Sequence, residues 1–198
     1  PAIGGVGLLD DWEKSATIGF KAEGEHIYRL GNPSGNLGQS LWLREIHGRR
    51  DGEPPSVDLD DEARLGAFVR SCIKSGRVTA VHDISDGGLL VAITEMALAS
   101  GFSAMITIDE TDVATPYCFA EDQGCFVVSV SSDCVDFELE AAAAGVSAEM
   151  VGGVIGDEGY GAENLVVVGL QGGTKEIPLA DLRAAHEGFL PNLMSNEL

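Results

Sequence analysis

The fold class is decided by residues 78–101, which read VTAVHDISDGGLLVAITEMALASG. Val78–Ile84 is a compact run of β-branched and apolar residues, and this pattern predicts a buried strand. Gly88–Ser100 carries apolar residues at helical spacing, and Gly101 stands where a glycine commonly ends a helix. A buried strand, a glycine-rich loop and a helix in direct succession are typical of proteins built from strands and helices around one sheet.

Similar patterns extend in both directions from this stretch. Strands are predicted at Ile3–Leu9, Ala16–Phe20, His26–Leu30, Met105–Ile108, Phe126–Val130, Met150–Ile155 and Leu165–Leu170. Helices are predicted at Leu37–Ile46, at an amphipathic segment that follows Asp58–Asp61 and ends at Gly76, at Phe137–Ala144 and at Ala180–Leu190. Because strands and helices alternate irregularly, we expect an α/β (α+β) fold, a three-layer sandwich with a mixed β-sheet flanked by helices.

The composition excludes several classes of protein. The 198 residues carry 32 acidic and 12 basic side chains, a formal net charge of −20, and the only basic cluster is Arg44, Arg49 and Arg50. A nucleic-acid-binding protein needs clustered positive charge to neutralise phosphates. No apolar run is long enough to cross a membrane, and no signal peptide is recognisable. We therefore expect a cytoplasmic protein with neither a nucleic-acid nor a membrane partner.

The chain is expected to be one domain of a longer polypeptide. Its length suits a single domain with a sizeable core, and no internal repeat divides it. The first residue is Pro1 and not an initiator methionine, which suggests a fragment. The four cysteines are scattered without a CxxC pair, as is typical of reduced cysteines in a cytosolic protein.

The loop between the central strand and helix is the first candidate ligand site. Ser85, Asp86, Gly87 and Gly88 follow the strand directly, and backbone N–H groups at a helix N-terminus favour an anion such as phosphate. Asp83, at the end of the strand, supplies the kind of hard oxygen ligand that Mg²⁺ prefers. A second interpretation is equally open from the spacing alone, in which a side chain of the loop caps the helix and the glycines make a tight turn.

Two further polar segments are weaker candidates. Glu121, Asp122 and Gln123 precede the strand at Phe126, where they form either a polar ligand site or, as the spacing favours, an acidic surface turn. Leu37–Ser40 (LGQS) starts a predicted helix, where an anion site is possible but a plain capped helix fits better. His82 is predicted to be a packed, hydrogen-bonded histidine and not a general base, because it and Asp83 should point to opposite faces of the strand. No catalytic group assembles from the sequence.

Several segments, taken in order, resemble one enzyme family. PAIGGVGLLDD at residue 1, GNPSGNLGQSLWLREIHG at residue 31, VHDISDGGLLVAITEMALASG at residue 81 and FAEDQG at residue 119 are similar to the last domain of phosphoribosylformylglycinamidine synthases, in the large synthetase subunit. The wider superfamily includes aminoimidazole ribonucleotide synthetase, selenophosphate synthetase, thiamine-monophosphate kinase and a hydrogenase maturation factor. The resemblance covers nearly the whole chain.

The resemblance implies a reaction, cofactors and partners for the whole enzyme. Such a synthase converts formylglycinamide ribonucleotide, ATP and ammonia to formylglycinamidine ribonucleotide, ADP and phosphate in purine biosynthesis. ATP and Mg²⁺ are the implied cofactors. The implied partners are the upstream domains of the same polypeptide, a glutaminase subunit that delivers ammonia and a small bridging subunit.

The resemblance also implies roles for individual residues. The family holds two copies of a paired domain, and this chain is similar to the second C-type copy, in which Asp83 matches a magnesium-holding aspartate of the first. Glu121, Asp122 and Gln123 match a Glu-Ser-Gln run that touches substrate, but Asp122 replaces the serine. We therefore expect a substrate-like pseudo-site, a nucleotide- or phosphate-facing loop at Ser85–Gly88, and no catalytic residue in this chain.

Two other interpretations are kept beside this one. The chain could be the corresponding domain of aminoimidazole ribonucleotide synthetase or of another ATP-dependent kinase or synthetase of the superfamily, although residues 1–11 and 31–48 argue against it. It could also be a purely structural interaction module whose acidic surface packs against a neighbouring domain or subunit. Substitution of Asp83 and Asp86 distinguishes a ligand-binding role from a structural one.

Overall fold

The computed structural model describes residues 4–108, 113–156, 165–170 and 173–195. In chain order the strands are β1 His26–Leu30, β2 Ala80–Asp83, β3 Ser103–Thr107, β4 Phe126–Val130, β5 Ala148–Ile155, β6 Leu165–Leu170 and β7 Gly173–Pro178. The α-helices are α1 Leu59–Ser75, α2 Gly88–Ser100, α3 Ala114–Phe119, α4 Phe137–Ala143, α5 Leu179–Glu187 and α6 Phe189–Ser195. A short π-helical turn, Trp42–Ile46, lies between β1 and α1.

All seven strands form one mixed sheet in the order β2-β4-β1-β5-β3-β6-β7. Neighbouring strands run antiparallel except β3 and β6, which are parallel. β1 lies between β4 and β5, and it pairs with both over its whole length. The sheet therefore joins segments that are far apart in the sequence.

A separate apolar core covers each face of the sheet. Along β1, Ile27 faces the core formed with α2, whereas Tyr28 and Leu30 face the core formed with α1 and α4. This alternation is the period of two that a strand imposes on its side chains. Helices on both faces of a mixed sheet confirm the predicted three-layer α/β sandwich.

The ends of the two long helices follow from local sequence. Asp58 caps α1, since its carboxylate accepts hydrogen bonds from the N–H groups of Asp60 and Asp61. Gly76 ends α1 and Gly101 ends α2, both in the left-handed conformation that a glycine adopts without steric cost. None of the helices in the described part of the chain is long and apolar enough to span a membrane.

The predicted elements are confirmed where a clear apolar pattern meets a packing partner. His26–Leu30, Phe126–Val130 and Leu165–Leu170 are strands, and Gly88–Ser100 is a helix, with the bounds that the sequence predicted. Helix Ala180–Leu190 is present but divides at Gly188 into α5 and α6.

Three predicted elements differ from the structure. Residues 4–9 form no strand and are exposed, because no neighbouring strand pairs with them, and Ile3 lies outside the described residues. Ala16–Phe20 contributes a single bridge, from Thr17 to Ala80. The helix predicted over Leu37–Ile46 shrinks to the π-helical turn, since Gln39 has a positive φ of 62° that no right-handed helix tolerates.

Candidate functional site

The candidate site lies where β2 ends and α2 begins. β2 pairs antiparallel with β4, so that Asp83 is opposite Phe126. The N–H of Ile84 then donates to the carbonyl of Cys125 at 2.9 Å, which holds the loop before α2 against the segment before β4. The structure thus brings together the two polar segments that the sequence singled out, residues 83–88 and 121–123.

Glu121 joins three separate parts of the chain. Its Oε1 accepts a hydrogen bond from the N–H of Gly87 at 2.9 Å and another from the N–H of Leu41 at 2.8 Å. Gly87 is the N-cap of α2, where the helix dipole favours negative charge. A carboxylate of this chain therefore lies at the position where an external anion was predicted.

The two glycines of the loop are needed for close packing. Gly87 and Gly88 have φ values of 84° and 77°, and a Cβ on Gly88 would lie 2.7 Å from the carbonyl carbon of Phe119. The N–H of Gly88 donates to the carbonyl of Ser85 at 3.0 Å. Since both glycine N–H groups have partners within the chain, they do not fit an external phosphate, whereas the tight-turn interpretation accounts for them.

Asp122 is a second internal carboxylate. It is 5% exposed, and its two oxygens accept from the hydroxyl of Ser34 at 2.6 Å and from the N–H of Gly35 at 2.9 Å. These bonds fasten the GNPSG loop, which follows β1, to the segment before β4. The neighbouring Gln123 is exposed. Of the predicted pseudo-site, only Gln123 is thus turned towards solvent.

Three of the predicted site residues line one cavity of about 270 Å³. Asp83, Ser85 and Gln123 form part of its wall, and the other lining residues are Glu62, Gly66, Ile84, Gly124, Cys125 and Phe126. Asp86 is exposed and does not line this cavity. The cavity therefore opens directly beside the predicted loop.

The carboxylate of Asp83 lies at the wall of this cavity and is largely exposed, and it contacts one side chain, that of His82. Its side chain is 61% exposed, and its Oδ1 is 3.0 Å from Nδ1 of His82. Nε2 of His82 is 2.8 Å from Oε2 of Glu95, so His82 is hydrogen-bonded, as expected. The expectation that His82 and Asp83 point apart is wrong, because at the strand end the two side chains turn towards each other.

The described residues hold no ready-made metal centre. Among them, no three His, Cys, Asp or Glu side chains come together as a metal-binding group. Asp83 alone would offer one carboxylate, and Mg²⁺ commonly completes such a shell with phosphate oxygens and water. A bound metal at this place would therefore depend on a phosphate-bearing ligand.

A larger cavity, of about 390 Å³, shares Ile84 and Cys125 with the first. Its polar wall includes Arg29, Ser34 and Asp122, and its apolar wall includes Tyr117 and Leu89. The guanidinium of Arg29 lies 4.4 Å from the centre of the Tyr117 ring and also pairs with a glutamate of β5. The sequence patterns did not predict this cavity, although the arginine within the strand HIYRL was a signal for it.

The thiol that borders this cavity, that of Cys125, is buried and has a raised pKa. Burial, and to a smaller extent the charge of Asp122, raises the pKa of Cys125 to about 11. A cysteine reacts as its thiolate, and at neutral pH almost none of this side chain is ionised. Cys125 therefore contributes to packing in the core.

Curated relatives match almost the whole chain. The phosphoribosylformylglycinamidine synthase subunit PurL of Zymomonas mobilis is 47% identical over 98% of this chain, which covers 25% of that protein. The protein of the same name from Parvibaculum lavamentivorans is 46% identical, again over 98% of this chain and 25% of its own length. The chain thus spans about a quarter of the length of these relatives.

Solved structures share the fold at low sequence identity. Thermotoga maritima PurL complexed with FGAR superposes with a TM-score of 0.70 at 16% identity, over 86% of this chain and 30% of that one. The hydrogenase maturation protein HypE superposes with a TM-score of 0.57 at 18% identity, over 85% of this chain and 56% of that one. At these identities the likeness concerns the fold alone.

A protein-family model also matches most of the chain. The model of the AIR synthase related protein, C-terminal domain, matches residues 22–163, which include β1, α2 and both polar segments of the site. The match covers well over half of the sequence. The chain therefore belongs to the family of AIR synthase related proteins, as a C-terminal domain of that type.

Proposed function

We propose that residues 1–198 form a single C-terminal synthetase-type domain of a phosphoribosylformylglycinamidine synthase, and that this domain is part of a longer polypeptide. The carrying observation is the 47% identity to a PurL subunit across 98% of this chain. The whole enzyme would convert formylglycinamide ribonucleotide, ATP and ammonia to formylglycinamidine ribonucleotide, ADP and phosphate. Solved PurL structures with ATP and with FGAR support this substrate pair for the relatives.

The domain's own role in this proposal is structural, with a surface that faces an auxiliary nucleotide. Such a nucleotide stabilises the fold and is not turned over. Glu121 and Asp122 support the structural part, because both carboxylates are used to hold loops of this chain together. They form a pseudo-site that keeps the shape of a substrate-binding segment without offering its oxygens. The isolated domain is accordingly inactive, and the catalytic groups belong to the rest of the enzyme.

The nucleotide contact is proposed at the cavity beside the loop. The hydroxyl of Ser85 would donate to a phosphate, and Asp83 would hold a magnesium ion that supplies positive charge there. Asp86 lies on the same loop but outside the cavity wall, and it would contact the nucleotide from the exposed side of the loop. Gly87 and Gly88 contribute the shape of the loop and not their N–H groups, which have partners already. When bound, the nucleotide and its metal would supply phosphate and charge, and this chain would position them.

The partners and compartment follow from the same assignment. The upstream domains of the polypeptide, a glutaminase subunit and a small bridging subunit are the proposed partners, and a T. maritima structure described as PurLQS supports an assembly for that relative. The net charge of −20 disfavours binding to nucleic acid or to an anionic membrane surface. A cytoplasmic location is part of the same proposal.

The second candidate is a purely structural interaction module. The internal use of Glu121 and Asp122 favours it, because a domain that only supports its neighbours needs firmly held loops and no open ligand groups. The two candidates differ in one respect that can be measured, namely whether Asp83 and Asp86 affect nucleotide binding. They agree that the domain is required for the fold of the whole enzyme.

Reconstitution tests the assignment. The upstream part of the Z. mobilis relative is mixed with this chain, and ammonia-driven release of ADP is measured with formylglycinamide ribonucleotide as substrate. We expect turnover in the mixture and none with either part alone. If both parts are folded and associated but no turnover occurs, the synthase assignment is wrong.

A charge-matched pair of variants then separates the two roles. Asp83→Asn removes the proposed magnesium ligand, and Asp60→Asn removes an exposed carboxylate of α1 as its control. Binding of ATP with Mg²⁺ to the reconstituted protein is followed by calorimetry. A loss confined to Asp83→Asn supports a nucleotide-facing surface, whereas unchanged binding in both supports the structural module.

A further inference from the structure

A small basic cavity shares no lining residue with the two cavities described above. It measures about 130 Å³ and is lined by Gln39, Ser40, Arg44, Arg49 and Arg50. These residues come from the LGQS segment and from the only basic cluster in the sequence, which the proposed function leaves unused. Three of the chain's 12 basic residues thus meet around one opening, although the chain as a whole is strongly acidic.

The arginines retain donor groups for an external acceptor. Nε of Arg44 donates to Glu45 at 2.6 Å, and Arg49 binds Asp51 through Nε and Nη2 at 2.9 and 2.6 Å. Arg50 makes no ion pair with any residue in the described ranges of the chain. The two carboxylates offset two of the three positive charges, so the cavity keeps a net positive charge with free guanidinium N–H groups.

The loop that carries these arginines is held in one conformation. Gln39 donates from its backbone N–H to the carbonyl of Asp51 at 3.1 Å and from its side chain to the carbonyl of Gly52 at 2.9 Å. Asn36 donates to the carbonyl of Glu53 at 3.2 Å. These bonds fix residues 36–40 beside residues 50–53, which positions both ends of the cavity wall.

This arrangement includes a costly backbone conformation. Gln39 has a φ of 62°, and it is the only non-glycine residue of the described chain with a positive φ. A left-handed conformation is unfavourable for a residue with a Cβ, and such positions cluster at ligand sites where the surroundings hold them. Gln39 is one of the five residues that line the basic cavity, and its backbone conformation is an observation independent of the charges.

We propose that this cavity binds a phosphate group. Its volume corresponds to about four water molecules at roughly 30 Å³ each, which suits one phosphate and is well below the ~300 Å³ of a site for a whole nucleotide. Guanidinium groups match phosphate oxygens with paired N–H donors in one plane. The ligand is either free orthophosphate or the phosphate end of a small phosphomonoester.

The test uses the full chain and two phosphate compounds. Orthophosphate and ribose 5-phosphate are titrated separately into the wild type, Arg50→Gln and Arg70→Gln, and binding is measured by calorimetry at low ionic strength. Arg70 is exposed on α1 and outside the cavity, so its variant loses the same charge elsewhere. We expect binding with one site per chain, weakened about tenfold by Arg50→Gln and less than about twofold by Arg70→Gln.

The two compounds identify the source of the phosphate. Tighter binding of ribose 5-phosphate would identify a phosphomonoester as the ligand, and tighter binding of orthophosphate would identify the free ion. A crystal soaked with tungstate should show the heavy anion between Arg44 and Arg50, which checks the site without any variant. Absence of binding for both compounds, or equal weakening by Arg50→Gln and Arg70→Gln, would overturn the proposal.

Discussion

Replacement of Glu121 by alanine tests whether this carboxylate is a structural clamp. The change removes one oxygen that accepts from Gly87 at 2.9 Å and from Leu41 at 2.8 Å. A hydrogen bond to a charged acceptor contributes about 1.5–3 kcal/mol. Because Glu121 is only partly buried and water can enter the vacated space, we take the lower value for each bond. The expected loss in the free energy of unfolding is then about 3 kcal/mol.

The loss is measured by urea unfolding with tryptophan fluorescence. Trp42 follows Leu41 directly and stacks on Phe119 with ring centres 4.4 Å apart, so it reports on the clamped region. In a chain of this size, about 3 kcal/mol also lowers the melting temperature by about 6–12 °C. Both quantities are therefore well within the range of ordinary equilibrium measurements.

Two control variants make the result specific to the clamp. Glu121→Gln keeps an acceptor oxygen and loses only the charge, so about 1 kcal/mol is expected. Glu176→Ala removes an exposed carboxylate of β7 and should change stability by less than about 0.5 kcal/mol. If Glu121→Ala lowers the free energy of unfolding no more than Glu176→Ala does, the two hydrogen bonds do not stabilise the fold. Glu121 is then not a clamp at the start of α2.

Three further predictions follow from the packing and the charges. Gly88→Ala should lower the free energy of unfolding by about 2–4 kcal/mol, because its Cβ would lie 2.7 Å from neighbouring backbone. Gly76→Ala is the control and should lower it by about 1 kcal/mol, because Gly76 has a similar φ but no atom within 4 Å of the added Cβ. Equal losses in urea unfolding would contradict the close packing. Arg77→Gln should lower the melting temperature at pH 7, because a hydrogen bond from Arg77 holds the pKa of Asp136 below its usual range. The stability from that pair is present above the unfolded pKa of Asp136, about 3.9, and is lost as the pH falls through its lower folded pKa. The melting temperatures of the two proteins should therefore converge between pH 7 and pH 2. A constant difference over this range would refute the pairing. Since burial raises the pKa of Cys125 to about 11, its reaction with a thiol reagent at pH 8 should be at least ~100-fold slower than that of a free cysteine peptide, and fast labelling of the folded chain would show that the thiol is open.

The elements that the sequence predicted well are those whose residue pattern is compatible with only one kind of secondary structure. Gly88–Ser100 is long, apolar and ended by a glycine, so no strand competes with the helix. His26–Leu30 carries Ile27, Tyr28 and Leu30 and ends before a glycine, and Phe126–Val130 is a short, mostly apolar run. Both strands lie inside the sheet. In these segments local preference and burial favour the same structure.

The elements that the sequence missed have weak local patterns. α3, Ala114–Phe119, is only six residues long and contains a proline, and its packing against α2 rather than its own sequence supports it. β7, Gly173–Pro178, is an edge strand with mostly exposed polar side chains, so the apolar alternation that identifies a strand is absent. Conversely, residues 4–9 are apolar but pair with no strand. Tertiary contacts decide such segments.

The candidate site could be predicted in its parts but not in its assembly. The loop at Ser85–Gly88 and the Glu121–Gln123 segment were both identified from residue type and position. That Glu121 reaches Gly87 and Leu41 depends on the pairing of β2 with β4, which no local pattern specifies. The contact of Gln39 with the arginines was not predicted either. It depends on the left-handed backbone of Gln39, and the usual sequence signal for that conformation is a glycine, which this position lacks.

The central place of β1 has a consequence for the synthesis of the protein. A ribosome releases the chain from its N-terminus, so β1 emerges long before β4 and β5, the two strands that pair with it. Until Val130 and Ile155 have left the exit tunnel, the nascent chain holds an apolar strand with both edges unpaired, which is the form most open to aggregation and to chaperones. Non-local pairing of this kind also slows folding, so β1 depends for its protection on β4 and β5, which are synthesised much later.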